Sequence, residues 1–81
     1  MKVKILFFAS LKDITGENAV DLELEENATV ESVKIKITSI YPKLEPLLNF
    51  VRIAINQEFA EAESVINNGD ELAFLPPVSG G

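Results

Sequence analysis

The fold is decided at one end of the chain, by the stretch Asn67-Asn68-Gly69-Asp70-Glu71-Leu72-Ala73-Phe74-Leu75-Pro76-Pro77-Val78-Ser79-Gly80-Gly81. Asn, Gly and Asp make up its first four residues, a composition typical of turns. The next five residues predict a strand, which the two prolines must end because proline has no backbone N–H for a sheet ladder. The stretch therefore predicts a turn, a last strand over residues 71–75 and a tail over residues 76–81 that leaves the sheet in a fixed direction.

A partner for this last strand is predicted at the beginning of the chain. Val3, Ile5 and Phe7 alternate with residues of the opposite face, which is the period of a strand with one buried side. If this first strand and the last one are parallel neighbours in the centre of one sheet, the chain between them must supply a long crossover.

The elements of that crossover follow from apolar spacing and turn residues. The helix is the ambiguous one, because the β-branched residues 33–38 also favour a strand. A helical spacing of apolar residues, a Thr29 N-cap and a stop at Tyr41-Pro42 decide for a helix and leave Ile35 off its buried face. The other expected elements are a helical turn over 11–15, a strand over 20–24, an irregular or 3₁₀ piece over 44–50, a strand over 51–55 and a short return strand over 58–60.

This order of elements predicts an α+β fold: a mixed sheet of four to five strands with one main helix packed on one face and an extended C-terminal tail. That is the β-grasp, or ubiquitin-like, arrangement. We expect residues 1–81 to form one domain with residues 76–81 as a flexible tail, which extended at about 3.3 Å per residue reaches roughly 20 Å. The alternative for the tail is a frayed chain end.

Composition excludes several classes of function. The chain has no cysteine and no histidine, which removes the commonest general base, thiol nucleophiles and the usual zinc ligands. Its net charge is −6, and residues 53–81 carry five acidic residues and no basic one. We therefore expect no metal, no nucleic-acid partner and no membrane partner. A soluble, cytoplasmic protein is predicted, because no apolar run approaches the roughly 18 residues of a membrane span.

Three apolar residues are candidates for a docking surface at the base of the tail. If Phe7 faces the helix, Phe8 faces the opposite side of the sheet, and if Phe74 points inward, Leu75 points outward. Phe59 lies on the short return strand. An outward cluster of Phe8, Phe59 and Leu75 would be a large apolar patch, which usually marks a partner site. The alternative is that one or two of them belong to the core.

The same residues carry a resemblance to a known family. The Gly-Asp-Glu to Pro-Pro-Val-Ser-Gly-Gly run, the opening Val3-Lys4-Ile5-Leu6-Phe7-Phe8-Ala9 and the central Ala54-Ile55-Asn56-Gln57 resemble the small subunit of molybdopterin synthase, the sulfur carrier of molybdenum cofactor biosynthesis. The resemblance covers essentially the whole chain. The helix is more β-branched than is expected for the family.

That resemblance implies a chemistry. An E1-like adenylating enzyme would consume ATP to form an acyl-adenylate on Gly81, and a sulfur donor (a sulfurtransferase or desulfurase) would convert it to a thiocarboxylate. The thiocarboxylate would donate sulfur in the active site of the molybdopterin synthase large subunit, within a heterotetramer, to form the molybdopterin dithiolene. The implied site residues are Gly81 as the sulfur-bearing group and Phe8, Phe59, Leu75, Pro76, Pro77, Val78, Ser79 and Gly80 as partner contacts. No cofactor would be bound permanently, and the subunit would not be catalytic alone.

Three other interpretations stay open from the sequence. The sulfur carrier of thiamin synthesis shares the fold and the Gly-Gly end, although such carriers are usually shorter and lack the Pro-Pro-Val-Ser element. A ubiquitin-like protein modifier would join Gly81 to a lysine of its target through the same adenylate. The last alternative is an interaction domain with an inert tail.

Overall fold

A computed structural model describes residues 1–77, which form a five-stranded mixed sheet with helices on one side. The strands lie in the order β2-β1-β5-β3-β4. This confirms the predicted β-grasp arrangement. The strands are β1 (Lys2–Phe7), β2 (Ala19–Glu23), β3 (Arg52–Ile55), β4 (Glu58–Phe59) and β5 (Glu71–Leu75), and the helices are α1 (Ser10–Thr15), α2 (Val30–Ile40) and α3 (Glu45–Leu48), with a 3₁₀ turn over Pro42–Leu44.

The first and last strands are the parallel central pair, as the sequence predicts. Ile5 lies opposite Leu72, and Phe7 lies opposite Phe74. The neighbours outside this pair run antiparallel: β2 pairs with β1, and β3 pairs with both β5 and β4. The chain from the end of β1 to the start of β5 is therefore the long crossover that a parallel pair requires.

The core fills the space between the sheet and α2. Every element of the fold except β4 contributes side chains to it, and α1 contributes Leu11. Among residues 1–77 no polar or charged residue is buried. The ring of Phe7 makes edge-to-face contacts with Tyr41 and Phe74, at centroid distances of 5.7 and 5.8 Å. Such pairs add about 0.5–1.5 kcal/mol beyond the area they bury. The residues under 2% exposed are Val3, Ile5, Leu11, Val30, Val33, Ile37, Leu44, Ile66, Leu72 and Phe74.

Helix α2 forms despite its β-branched residues because its first turn is fully capped. The Thr29 N–H donates to the Ser32 Oγ (2.9 Å), and the Ser32 N–H donates to the Thr29 Oγ1 (3.4 Å), a reciprocal capping box. The N–H groups of Val30 and Glu31 donate to carbonyls of the loop before β5. The predicted helix and its Thr29 cap are thus confirmed, and Ile35 is 64% exposed as expected.

A few predicted boundaries differ from the observed ones. Strand β2 ends at Glu23, so Leu24 is buried just beyond it, and β4 is limited to two residues. The segment after Pro42 contains a one-turn α-helix as well as the predicted 3₁₀ turn. Within residues 1–77, none of the helices has the length and apolar character needed to cross a membrane.

Replacing Phe74 by alanine is expected to cost about 3–5 kcal/mol of unfolding free energy, because the ring is fully buried between the central strands and α2. Urea denaturation followed by circular dichroism measures this. The control is Phe8→Ala, which removes an equally large ring that is 44% exposed and is expected to change stability by less than about 1 kcal/mol. Equal losses for the two variants would contradict the assignment of the core.

Candidate functional site

The candidate site lies on the sheet face turned away from α2, which we call the outer face. Strand registers place its side chains: Leu6 lies opposite Ala73, Arg52 opposite Leu75, and Phe59 opposite Ala54. Residues that are paired across a ladder point to the same side of the sheet, and successive residues alternate. Since Leu72 and Phe74 point into the core, Ala73 and Leu75 point outward, and their pairing partners do as well.

The three predicted apolar residues are accessible to different degrees. Phe8 is 44% exposed, Phe59 is 63% exposed and Leu75 is half-buried. Phe8 and Leu75 directly follow the pair Phe7 and Phe74, so they reach the same end of the sheet on neighbouring strands. Phe59 lies on β4, two strands from β5. None of the three belongs to the core, and their role in binding a partner stays a prediction.

The tail begins at this same end of the sheet. Pro76 is half-buried, Pro77 is exposed, and β5 ends at Leu75 as the prolines require. The predicted site residues Val78, Ser79, Gly80 and Gly81 lie outside the described residues.

Two neighbours of these residues were missed by sequence reasoning. The Arg52 Cζ lies 4.0 Å from the centroid of the Phe59 ring, a cation–π contact worth about 0.5–1 kcal/mol at an exposed site. Phe50, which the sequence places in an irregular apolar piece, is 64% exposed. It lies in the turn between α3 and β3, two residues before Arg52. The predicted hairpin over residues 51–60 could have suggested the Arg52–Phe59 contact, but no sequence signal marks Phe50.

A hydrogen-bond cluster at the opposite end of the sheet fixes the register of β5. The Asn56 side chain accepts a hydrogen bond from the Glu71 N–H and donates one to the Asp70 Oδ1, both at 3.0 Å. The Asn56 N–H donates to the Glu71 carbonyl at 2.8 Å. Asn56 can do this because it adopts a left-handed conformation, with φ of 49°, in the turn between β3 and β4. The turn thereby sets where β5 starts and, through its length, where the tail leaves.

The site is a surface and not a pocket. An open cavity of about 410 Å³ borders Leu24, Thr29 and Lys36, at the end of the sheet away from the tail. A smaller one of about 250 Å³ borders Arg52 and Phe59 at the edge of the sheet. Residues 1–77 contain no cluster of three or more potential metal ligands. The arrangement therefore suits the docking of another protein over the outer face, with the tail leaving from its edge.

Replacing Asn56 by alanine is expected to lower the unfolding free energy by about 1–3 kcal/mol, because it removes two side-chain hydrogen bonds and because alanine tolerates a positive φ less well than asparagine. Asn56→Gly separates the causes, since glycine adopts this conformation freely and loses only the hydrogen bonds. Thermal denaturation should rank the proteins in the order wild type, Asn56→Gly, Asn56→Ala. A glycine variant as stable as wild type would show that the side-chain bonds contribute nothing.

Comparison with known proteins gives matches along the whole chain. The model of the ThiS family matches residues 5–81. The molybdopterin synthase sulfur carrier subunit of Dictyostelium discoideum is 38% identical over 82 residues, covering 96% of this chain and 94% of that protein. The crystal structure of SAMP1 from Haloferax volcanii, a small archaeal modifier protein, superposes with a TM-score of 0.89 at 29% identity, covering 100% of both chains.

A third comparison is to an assembly. The complex of subunits 1 and 2 of the molybdopterin-converting factor from Helicobacter pylori contains a chain that superposes with a TM-score of 0.73 at 24% identity, covering 100% of both chains. At this identity the likeness shows the shared fold.

Proposed function

The chain belongs to the ThiS family, and from this premise we propose that it is a sulfur carrier of molybdenum cofactor biosynthesis, the small subunit of a molybdopterin synthase. The observation that carries the proposal is the full-length similarity to the sulfur carrier subunit of that synthase. The geometry supports it, because an accessible apolar face and the start of a narrow tail occupy the same end of the sheet.

The absence of cysteine and histidine explains why the chemistry belongs at the tail. With no thiol in the sequence, sulfur has to be carried on a backbone carbonyl, and we assign this role to Gly81. A carboxylate is a poor electrophile, so the proposed first step joins it to AMP from ATP with release of pyrophosphate. Hydrogen sulfide released by the sulfur donor then attacks the carbonyl, the bond between the carbonyl carbon and the AMP oxygen breaks, and Gly81 carries a thiocarboxylate.

The remaining tail residues would deliver that group. Gly80 has no side chain, so the thread beside the thiocarboxylate is thin enough for a narrow active site. Pro76, Pro77, Val78 and Ser79 would form the inserted segment, of which the prolines restrict the direction. In the large subunit the sulfur of the thiocarboxylate would attack a pterin precursor, one atom per carrier, and water would then cleave the bond between the carbonyl carbon and the sulfur to return the Gly81 carboxylate.

Three partners follow from this proposal: the large subunit of the synthase, an E1-like adenylating enzyme and a sulfur donor. The likeness to the Helicobacter pylori subunit 1 and 2 complex supports the first of them. We propose that Phe8, Phe59 and Leu75 contact the large subunit, in an assembly of two small and two large subunits. In this proposal the carrier binds no cofactor permanently. The reaction takes place in the cytoplasm.

A second candidate is a ubiquitin-like protein modifier. It is favoured by the similarity to SAMP1, which extends over the whole chain. Both candidates need the acyl-adenylate, and they differ in what attacks it: sulfur for the carrier, and the amine of a target lysine for the modifier.

Intact mass spectrometry of the chain isolated from its native cell tests the proposal. We expect a form whose mass is raised by one exchange of oxygen for sulfur, with a chain lacking Gly81 as the control that stays unmodified. That control should unfold at the wild-type temperature, because the buried residues of the described chain end at Phe74. An unmodified mass together with lysine-linked conjugates that survive reduction would favour the modifier.

Replacing Phe59 by aspartate is expected to weaken binding to the large subunit by about tenfold or more, because a charge would replace an exposed aromatic anchor. Phe8→Asp should act similarly, whereas Ile35→Asp, at an exposed apolar residue on α2, should not. Titration calorimetry with the purified large subunit measures the three affinities. If both phenylalanine variants bind the large subunit as tightly as wild type does, the outer face is not part of the interface.

A further inference from the structure

We propose that Arg52, stacked on Phe59, binds a carboxylate of the large subunit and so sets the register in which the carrier docks. The inference rests on the proposed function and deepens it, because it assigns a specificity-determining residue to the docking surface. The carboxylate belongs to an aspartate or glutamate side chain that lies within an apolar surface of the large subunit.

The placement of Arg52 is central to the exposed part of the outer face. It lies opposite Leu75 in the β3–β5 ladder, directly before the tail. It also reaches diagonally across the β3–β4 ladder to Phe59, which pairs with Ala54. Ala54 is only 6% exposed although it points away from the core, as expected if the stacked pair covers it. Arg52 therefore connects the two apolar residues predicted to contact a partner.

The guanidinium has bonding capacity that residues 1–77 leave unused. Within this part of the chain Arg52 forms no salt bridge and its side chain makes no hydrogen bond. A guanidinium carries five N–H donors and no acceptor, and its planar fork matches a carboxylate with two parallel hydrogen bonds. The contact with the Phe59 ring uses no conventional hydrogen-bond acceptor, so it leaves the N–H donors available for such a bond.

The charges on the outer face make this position selective. The outward residues of β3, β4 and β5 are Arg52, Ala54, Phe59, Glu71, Ala73 and Leu75, and Arg52 is the one basic residue among them. Glu71 lies opposite Lys4 at the end of the sheet away from the tail. A partner carboxylate is therefore favoured at Arg52 and at no other position on these three strands, which fixes register as well as attraction.

The Phe59 ring also favours binding of the partner at Arg52. Aromatic and arginine side chains are enriched among the residues that dominate binding energy at interfaces. The Arg52 side chain is exposed before docking, so holding it against Phe59 reduces the conformational freedom that it would lose on binding. Lysine at this position would keep the charge but lose the planar fork and much of the stack.

The test measures binding of the full-length carrier to the purified large subunit by titration calorimetry at two salt concentrations. We expect Arg52→Gln to weaken binding by about tenfold or more and to reduce its salt dependence. Arg52→Lys should recover only part of the loss, and Phe59→Leu, which keeps apolar area without the stack, should fall between Arg52→Gln and wild type. The matched control is Lys4→Gln, which also removes one positive charge from the outer face. Lys4 lies opposite Glu71, four residues before Leu75, so this variant should bind as tightly as wild type.

The acidic partner is identified by a double-mutant cycle. Each aspartate and glutamate of the large subunit's docking surface is changed to its amide and measured with wild-type carrier and with Arg52→Gln. One of these amide variants should weaken binding to wild type and have no further effect on Arg52→Gln.

Three results would overturn the inference: wild-type affinity for Arg52→Gln, equal losses for Arg52→Gln and Lys4→Gln, or tighter binding by Arg52→Gln. The last would mean that the guanidinium opposes docking. Intact mass after incubation with the adenylating enzyme, ATP and the sulfur donor separates this inference from the proposed function. Failure of the wild type to gain sulfur refutes the carrier proposal, whereas a wild type that gains sulfur and binds no better than Arg52→Gln refutes the role of Arg52 alone.

Discussion

The parallel pairing of β1 with β5 is the constraint on which the rest of the structure depends. Parallel neighbours cannot be joined by a tight turn, so the whole segment between residues 7 and 71 has to serve as their connection. That segment supplies the outer strands and the helix that covers one face. Phe7 and Phe74 form the last pair of this ladder, where the contact between their rings joins the two strands within the core.

Parallel direction also explains why the candidate site exists at all. Both central strands finish at the same end of the sheet, so Phe8 and Leu75 are brought together there. After β1 the chain turns back at Ala9, which has a positive φ, and enters α1. After β5 the prolines prevent a further strand, and the chain leaves the sheet. One end of the fold therefore carries accessible apolar residues and the start of the tail.

The fold could be predicted from sequence because its signals are local and agree with one another. Alternation in β1, the Thr29 cap of α2 and the proline stop after Leu75 each depend on neighbouring residues, and the structure confirms each. The candidate site could be predicted only in part. Exposure of Phe8 follows from alternation in β1, but the Arg52–Phe59 contact depends on the turn geometry that Asn56 imposes. The loop carbonyls that cap α2 are likewise tertiary contacts without a local signal.

For a carrier whose reactive group is a backbone carboxylate, the folded domain contributes recognition and not chemistry. The tail has to enter the active sites of an adenylating enzyme and a synthase in turn, and residues without side chains, such as Gly80 and Gly81, can enter both. Discrimination between such partners then has to come from the domain, where the outer face offers apolar contacts that many surfaces can match. A single guanidinium beside those apolar contacts is harder to match, because a partner without a carboxylate at that point would bury an unpaired charge. Arg52 is thus the residue through which this fold can distinguish one docking partner from another while the tail stays the same.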